Sequence, residues 1–237
     1  MRQELVETLY HVLWELVHVF FDHRGLLEGR SSRPTHDTGA SSFLYPFLAE
    51  SEHDLDAVLA DVSHSVHVKA EEIGALREQT LTEGRDALLT AAASVRSGGK
   101  LLALGNGGSA TDAMDVVADF RAAGRRALDL TDDPAIITAL ANDIGTDAIF
   151  SRQVIAYGGP RDALIALSTS GNSESVIAAL VEARNRGLMT IACAGYGGGR
   201  VAAEGLADHV VITRSEHIPR IQEAQASAYH VLCHLAA

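Results

Sequence analysis

The chain of 237 residues has little of what several protein classes require. It carries 19 basic residues against 31 acidic ones, for a formal net charge of −12. That balance argues against a nucleic-acid or anionic-membrane partner, since both need clustered Lys and Arg. No apolar run approaches the roughly 18 residues of a membrane span. The first residues, MRQELVETLYHV, lack the apolar core of a signal peptide. We therefore predict a soluble protein of the cytoplasm.

Cysteine is equally scarce, and its positions exclude a disulfide framework. Only Cys193 and Cys233 occur, the first in an apolar run and the second in a helical pattern. We expect both thiols to be buried and reduced. Neither has the spacing of a metal-binding motif.

Hydrophobic spacing divides the chain into a helical first part and an α/β second part. Apolar residues recur every three or four positions from Arg2 to His23, which predicts a helix. A Ser/Gly/Pro-rich connector, GRSSRPTHDTGASSF, follows and runs into an aromatic segment, FLYPFL. Two further helices are predicted over about 52–80 and 83–96. We place an N-terminal extension at residues 1–50 and the main domain at 51–237.

After Gly99 short apolar runs alternate with helical patterns, as in a parallel sheet covered by helices on both faces. The five predicted strands are KLLALGN, RALDLTD, DALIALSTS, LMTIACAG and HVVITRS. Helices are predicted to begin near Ser109, Pro134, Ser173, Arg200 and Pro219. Ligands of such sheets bind where strands end and helices begin.

Two loops at strand ends have a composition suited to phosphate. The first is GNGGSAT and the second is STSGNS. Glycines let a backbone approach a ligand, while hydroxyls and helix N-terminal N–H groups bind anions. The first loop lacks the Lys of a nucleotide P-loop and does not fit G-x-G-x-x-G, so no nucleotide cofactor is predicted. Each loop could also be a plain strand-to-helix turn with a Ser N-cap.

GNGGS, the AND tripeptide at 141–143, STSGNS and RIQE together resemble the SIS sugar-phosphate domains, and within them the phosphoheptose isomerase family. The resemblance covers roughly residues 54–237. It implies a flavodoxin-like three-layer sandwich with a five-stranded parallel sheet. It also implies a homo-oligomer, usually a tetramer, with its sites at subunit interfaces. The activity implied is isomerisation of sedoheptulose 7-phosphate and a heptose phosphate.

The resemblance also assigns residues to roles. His230 is the family's catalytic histidine, and Asp119 stands where the family has a catalytic carboxylate. The substrate-binding residues implied are Asn106, Gly107, Gly108, Ser109, Asn142, Asp143, Ser168, Thr169, Ser170, Ser173 and Gln222. Gln222 and His230 lie about 80° apart around a helix of 3.6 residues per turn, so both can face one cavity.

The chain departs from the family at two positions. Asp115 and Asp119 replace a His and a Glu that lie four residues apart on the helix after GNGGS. They share a helix face. With Gln222 and His230 they could hold a divalent ion such as zinc, although Asp is a harder ligand than His. The alternative is a solvated helix face, and His230 could be a hydrogen-bonded core histidine.

Two functions therefore remain open from the sequence. The first is an aldose–ketose isomerase in which Asp119 and His230 share the proton transfers of an enediol mechanism. The second is a non-catalytic SIS module that binds a sugar phosphate or a partner protein in a regulatory role.

One repeated phrase lies partly outside the resemblance. QELVETLYHVL at residues 3–13 and QEAQASAYHVL at residues 222–232 agree at six positions. The first copy could be a chance likeness, a relic of a preceding domain, or a helix that packs where another domain's last helix would pack. We assign the chemistry to the second copy, because the phosphate loops accompany it.

Overall fold

Five parallel strands form the centre of the fold. They are β1 (Leu101–Gly105), β2 (Ala127–Asp129), β3 (Ala163–Ser168), β4 (Met189–Gly195) and β5 (His209–Thr213). Their order across the sheet is β2-β1-β3-β4-β5, and every neighbouring pair is parallel. The strand order reverses between β1 and β3, which opens a crevice at their carboxyl ends. All five strands agree with the predicted ones.

The computed structural model describes residues 2–22 and 55–237. Its helices are α1 (Arg2–Asp22), α2 (Leu55–Glu83), α3 (Arg85–Ser97), α4 (Gly108–Ala122), α5 (Pro134–Ile144), α6 (Ser151–Tyr157), α7 (Glu174–Asn185), α8 (Gly199–Ala203) and α9 (Ile218–Ala236). Sequence spacing predicts all of these except α6, a helix of seven residues whose short pattern carries little periodicity. None of the helices described has both the length and the apolar character that a bilayer span requires.

The chain divides into two compact units, Met1–Ala75 and Leu76–Ala237. The predicted boundary at residue 50 lies outside the described residues, as do the Ser/Gly/Pro-rich connector and the FLYPFL segment. The 1–50 and 51–237 division therefore stays a prediction.

Alternation along the strands builds a core on each face of the sheet. Leu101 and Ala103 of β1 belong to one apolar cluster, with residues of α3, α4 and α9. Leu102 and Leu104 belong to the other, with residues of α6, α7 and α8. Side chains of a strand point alternately to opposite faces, and a sheet buried on both faces therefore reads as an unbroken apolar run. This arrangement confirms the three-layer α/β fold.

Both cysteines lie in the first cluster. Cys193 and Cys233 are buried and free. Burial raises the pKa of the Cys193 thiol to about 12 and also raises that of Cys233. Both thiols are thus poor nucleophiles at neutral pH, as expected of core cysteines.

An ion pair joins the starts of β1 and β3 at the amino edge of the sheet. Asp162 accepts hydrogen bonds from the Lys100 backbone and ammonium groups, at 2.9 and 2.5 Å, and from Gly159 N–H at 2.9 Å. Burial favours a higher pKa for Asp162, but the hydrogen bonds and the charge of Lys100 outweigh it and hold the pKa below its usual value. The carboxylate form is therefore stabilised by folding.

We expect Asp162→Asn to lower the free energy of unfolding by about 1–3 kcal/mol at pH 7, because hydrogen bonds to a charged group are lost or weakened. A carboxyl pKa that is depressed by folding contributes stability above its unfolded value and loses it as the pH falls through the folded value. The difference between the two proteins should therefore shrink below about pH 4. Urea unfolding at pH 7 and pH 3 measures both effects. An equal loss at the two pH values would contradict the assignment, and Asp147→Asn, at an exposed position, is the control.

Candidate active site

The two phosphate-type loops meet at the carboxyl edge of the sheet. The Asn106 amide, just after β1, donates to the Ser173 hydroxyl at 2.8 Å and to the Ser175 hydroxyl at 3.0 Å. Both serines lie at the start of α7, after β3. Because β1 and β3 are adjacent and parallel, loops 67 residues apart in sequence share one crevice.

Hydroxyl and amide groups of the second loop line this edge. Gly171 N–H donates to the Ser168 hydroxyl at 3.1 Å, and Asn172 N–H donates to the Ser170 hydroxyl at 3.2 Å. Ser173 is the N-cap residue of α7, yet its side chain does not cap the helix. The first N–H groups of α7 thus lack a side-chain cap from Ser173, and a helix N-terminus with such groups attracts anions.

A glycine with positive φ fixes the shape of that loop. Gly171 has φ +64°, and a Cβ there would lie 2.2 Å from the Gly198 carbonyl oxygen. The loop after β3 therefore packs directly on the loop after β4. Gly171 also accepts a backbone hydrogen bond from Val201 N–H at 3.1 Å. Any larger residue would strain the backbone and separate the two loops.

Helix α4 carries three acidic residues on one face. Asp112, Asp115 and Asp119 fall within about 60° of one another around a helix of 3.6 residues per turn. Asp112 is 3% exposed, whereas Asp115 and Asp119 are half-buried. The opposite side of α4 carries Val117 and Phe120 into the core.

Helix α9 packs on α3 and α4 and supplies the Gln and the His. The Gln222 amide donates to the Asp112 carboxylate at 3.4 Å. A Cβ added to Gly108 would lie 2.3 Å from the Gln222 amide nitrogen. Gln222 is therefore held against the first turn of α4, beside the Asn-Gly-Gly loop.

The same two helices bring Asp119 and His230 together. The His230 Nε2 atom lies 3.3 Å from the Asp119 Oδ2 atom, with side chains 16% and 36% exposed respectively. The Tyr229 ring lies edge-on to the His230 ring, with centroids 4.7 Å apart. This carboxylate–imidazole pair is accessible to a substrate and near enough to exchange a proton.

Asn142 and Asp143 lie elsewhere on the subunit. They are exposed near the end of α5, after the edge strand β2, and the Asn142 amide donates to the Asp143 carboxylate at 2.9 Å. Helix α5 has no buried residue, although it carries apolar residues including Ile144, which is 49% exposed. Ile137, Leu140 and Ala141 pack half-buried against the core, whereas Ile144 is left largely uncovered in the single chain.

Comparisons with known proteins identify the family of this chain. The SIS domain family matches residues 69–195. The phosphoheptose isomerase of Desulfovibrio desulfuricans is 44% identical over 157 residues, which are 64% of this chain and 74% of that protein. That of Roseiflexus sp. is 45% identical over 149 residues, covering 59% of this chain and 73% of the relative.

The chain belongs to the SIS-domain phosphoheptose isomerase family. Solved structures agree. The phosphoheptose isomerase of Neisseria gonorrhoeae superposes with a TM-score of 0.69 at 34% identity, covering 74% of this chain and 99% of that one. The enzyme of Francisella tularensis gives 0.68 at 30% identity, covering 73% and 96%.

Sequence reasoning missed two residues of this phosphoheptose isomerase site. Asp112 contacts Gln222, and Ser175 shares the amide of Asn106. A spacing signal for Asp112 was present, because Asp112, Asp115 and Asp119 follow one another at intervals of three and four. Ser175 gave no such signal, since its contact depends on how β1 and β3 pair.

A separate cavity of about 260 Å³ opens at the opposite, amino edge of the sheet. Its lining includes Lys100, Arg125, Arg126 and Arg161. We place the phosphate end of the site of this family member at the carboxyl edge instead, because the two strand-end loops and the N-terminus of α7 meet there. In the cavity Lys100 is paired with Asp162, and Arg125 donates to the Ala237 backbone oxygen at 3.1 Å.

We expect Gly108→Ala to impair the enzyme while leaving it folded. The three nearest atoms to the added methyl group all belong to the flexible end of Gln222, so the side chain can move and the cost stays within about 1–3 kcal/mol. That movement takes Gln222 away from Asp112 and from the substrate. Kinetics and thermal unfolding measured on one preparation check both parts of the expectation.

Gly159→Ala is the matched control for this prediction. A Cβ there meets only the Asp162 carboxylate at 3.6 Å, an ordinary contact at the far edge of the sheet. Unchanged kinetics for Gly108→Ala, or an equal loss in both variants, would show that Gln222 does not need its present position.

Proposed function

We propose that this protein is a phosphoheptose isomerase that interconverts sedoheptulose 7-phosphate and a heptose 7-phosphate. The observation that carries the proposal is the pair formed by Asp119 Oδ2 and His230 Nε2, 3.3 Å apart between the facing helices α4 and α9. The two groups lie on different helices and 111 positions apart, and packing of α4 on α9 brings them together.

An enediol reaction uses such a pair directly. One group removes a proton from C1 of the ketose while the other gives a proton to the C2 carbonyl oxygen, which yields the enediol. The reverse transfers place a proton on C2 and take one from the C1 hydroxyl, which yields the aldose. No oxidant or cofactor enters this balance, and each group ends in its starting protonation state.

The remaining residues suit the binding of a sugar phosphate. We assign the phosphate to Ser168, Thr169, Ser170 and Ser173, where hydroxyls and the N-terminus of α7 converge. We assign the sugar chain to Asn106, Gly107, Gly108, Ser109 and Gln222. Gln222 is fixed by Asp112, which orients its amide for a sugar hydroxyl.

The shorter carboxylate at position 119 is compatible with this chemistry. Asp is one methylene shorter than the Glu of the family, so the substrate carbon has to lie closer to α4. His230 already lies within reach of Asp119. The substitution thus preserves the pair and changes only how deep the sugar sits.

The regulatory alternative is not favoured. A module that only binds a sugar phosphate needs the loops, but it has no physical need for a carboxylate and an imidazole in contact. The phosphoheptose isomerases of Desulfovibrio desulfuricans, Roseiflexus sp. and Neisseria gonorrhoeae, at 34–45% identity, match over 73–99% of their own length. Binding without turnover in the experiment below would restore this alternative.

A divalent metal remains a prediction, with Asp115, Asp119, Gln222 and His230 as its donors. Within residues 2–22 and 55–237, no three His, Cys, Asp or Glu side chains lie close enough together to hold an ion. The arrangement of the single chain therefore does not fit a metal as it stands, and we route no proton through one. Metal analysis of the purified protein and assays with added zinc or a chelator test the prediction.

We also propose a homo-oligomer in the cytoplasm. The exposed Ile144 at the end of α5 supports an interface there, and Asn142 and Asp143 would then serve a site completed by a second subunit. Two buried free thiols fit a reducing compartment.

We expect Asp119→Asn and His230→Gln each to lower kcat by about 10²–10⁴-fold, the usual contribution of a general acid or base. The double variant should lose little more than the worse single variant, since the two groups act as a unit. A coupled assay with sedoheptulose 7-phosphate measures turnover, and a thermal shift with the same sugar measures binding.

His234→Gln is the control, because His234 lies four residues further along α9 and is exposed. It should leave both turnover and binding unchanged. Full turnover in both Asp119→Asn and His230→Gln would overturn the catalytic assignment.

A further inference from the structure

Helix α1 exposes apolar side chains along its length. Leu5, Val6, Leu9, Tyr10 and Leu13 are between 58% and 67% exposed, and Val17 is 40% exposed. A helix of 21 residues is only marginally stable alone in water, so packing of an apolar face normally stabilises it. Contiguous apolar patches of this kind mark interaction sites.

The apolar residues follow a heptad repeat. Val6, Leu9, Leu13, Leu16 and Phe20 are spaced by 3, 4, 3 and 4 residues. These are the a and d positions of a helix that packs along another helix.

The e and g positions beside the heptad residues allow α1 to pair with α1 of a second copy of the chain. From Leu5 to Phe20 every e and g position is also apolar. The acidic residues Glu4, Glu7, Glu15 and Asp22 all fall at b, c or f positions, away from the seam. Two copies of α1 can therefore pair without bringing like charges into the interface.

The sequence shared by α1 and α9 allows the burial of the same residue types to be compared in the two helices. Tyr229 and Leu232 of α9 are 1% and 0% exposed within the core of the domain. Their counterparts in α1, Tyr10 and Leu13, are 60% and 61% exposed. The same residue types thus stay uncovered in α1.

We propose that α1 is a self-association helix whose heptad face binds α1 of a second copy of this chain. Six large side chains exposed by 40–67% amount to several hundred Å², which approaches the ~800 Å² per partner of a standard interface. Helix α1 lies outside the matched domain at residues 69–195, so this contact is additional to any contact between the domains themselves.

Cross-linking of the full-length protein tests the proposal. In the Leu13→Cys variant, a short bismaleimide should give covalent dimers on a reducing denaturing gel. Leu13 lies near the middle of α1, so it stays close to its counterpart in a parallel or an antiparallel pair. The native cysteines are buried and should not react. Adding Leu9→Glu should lower the yield of dimers about tenfold or more, because a buried, unpaired carboxylate destabilises the pair.

Thr8→Cys is the matched control, since position c lies on the far side of the helix from the seam. It should remain monomeric on the gel. The absence of dimers from Leu13→Cys, or equal cross-linking at positions 8 and 13, would overturn the proposal. Dimer formation that does not respond to Leu9→Glu would also overturn it, since the domain contacts alone would then explain the proximity.

Discussion

The parallel pairing of β1 with β3 is the contact on which the site depends. Leu101 lies opposite Ala163 and Gly105 lies opposite Leu167, so both strands end at the same level. The chain leaves β1 toward β2 on one side and leaves β3 toward β4 on the other. A crevice opens between the two loops, and the Asn106 amide spans it to Ser173 and Ser175. Without this register the phosphate loop and the Asn-Gly-Gly loop would belong to separate surfaces.

The packing of α9 on α4 contributes the chemistry. Helix α4 begins directly after β1, so the end of this strand determines where the aspartates of α4 lie. Helix α9 closes over them, with Gln222 against Gly108 and Asp112, and with His230 against Asp119. The absence of a side chain at Gly108 leaves room for the Gln222 amide against the first turn of α4. A buried ion pair between Arg220 and Glu223, at 2.6 Å, flanks Gln222 on the same helix.

Apolar surface left uncovered in the single chain points toward assembly. Ile144 of α5 is half exposed, and Val6, Leu9 and Leu13 of the α1 heptad are largely exposed. Covering apolar area is the main favourable term in most protein association. If another subunit packs on α5 and a second copy of α1 packs on α1, the assembled isomerase has two independent contacts. Asn142 and Asp143, on α5, would then reach a site only in the assembled protein.

The sequence by itself determined the elements and the class of the site. Unbroken apolar runs are typical of strands that are buried on both faces of a sheet. Glycine and hydroxyl residues at strand ends are typical of a phosphate-binding loop. Both are local patterns of the sequence. It also assigned Asp119 and His230 through the family resemblance. The part played by Asp112, the link from Asn106 to Ser175 and the contact of Gln222 with Gly108 came only from the tertiary structure. Each of these contacts joins residues 69 to 114 positions apart. Such contacts depend on strand order and helix packing, which no local pattern encodes.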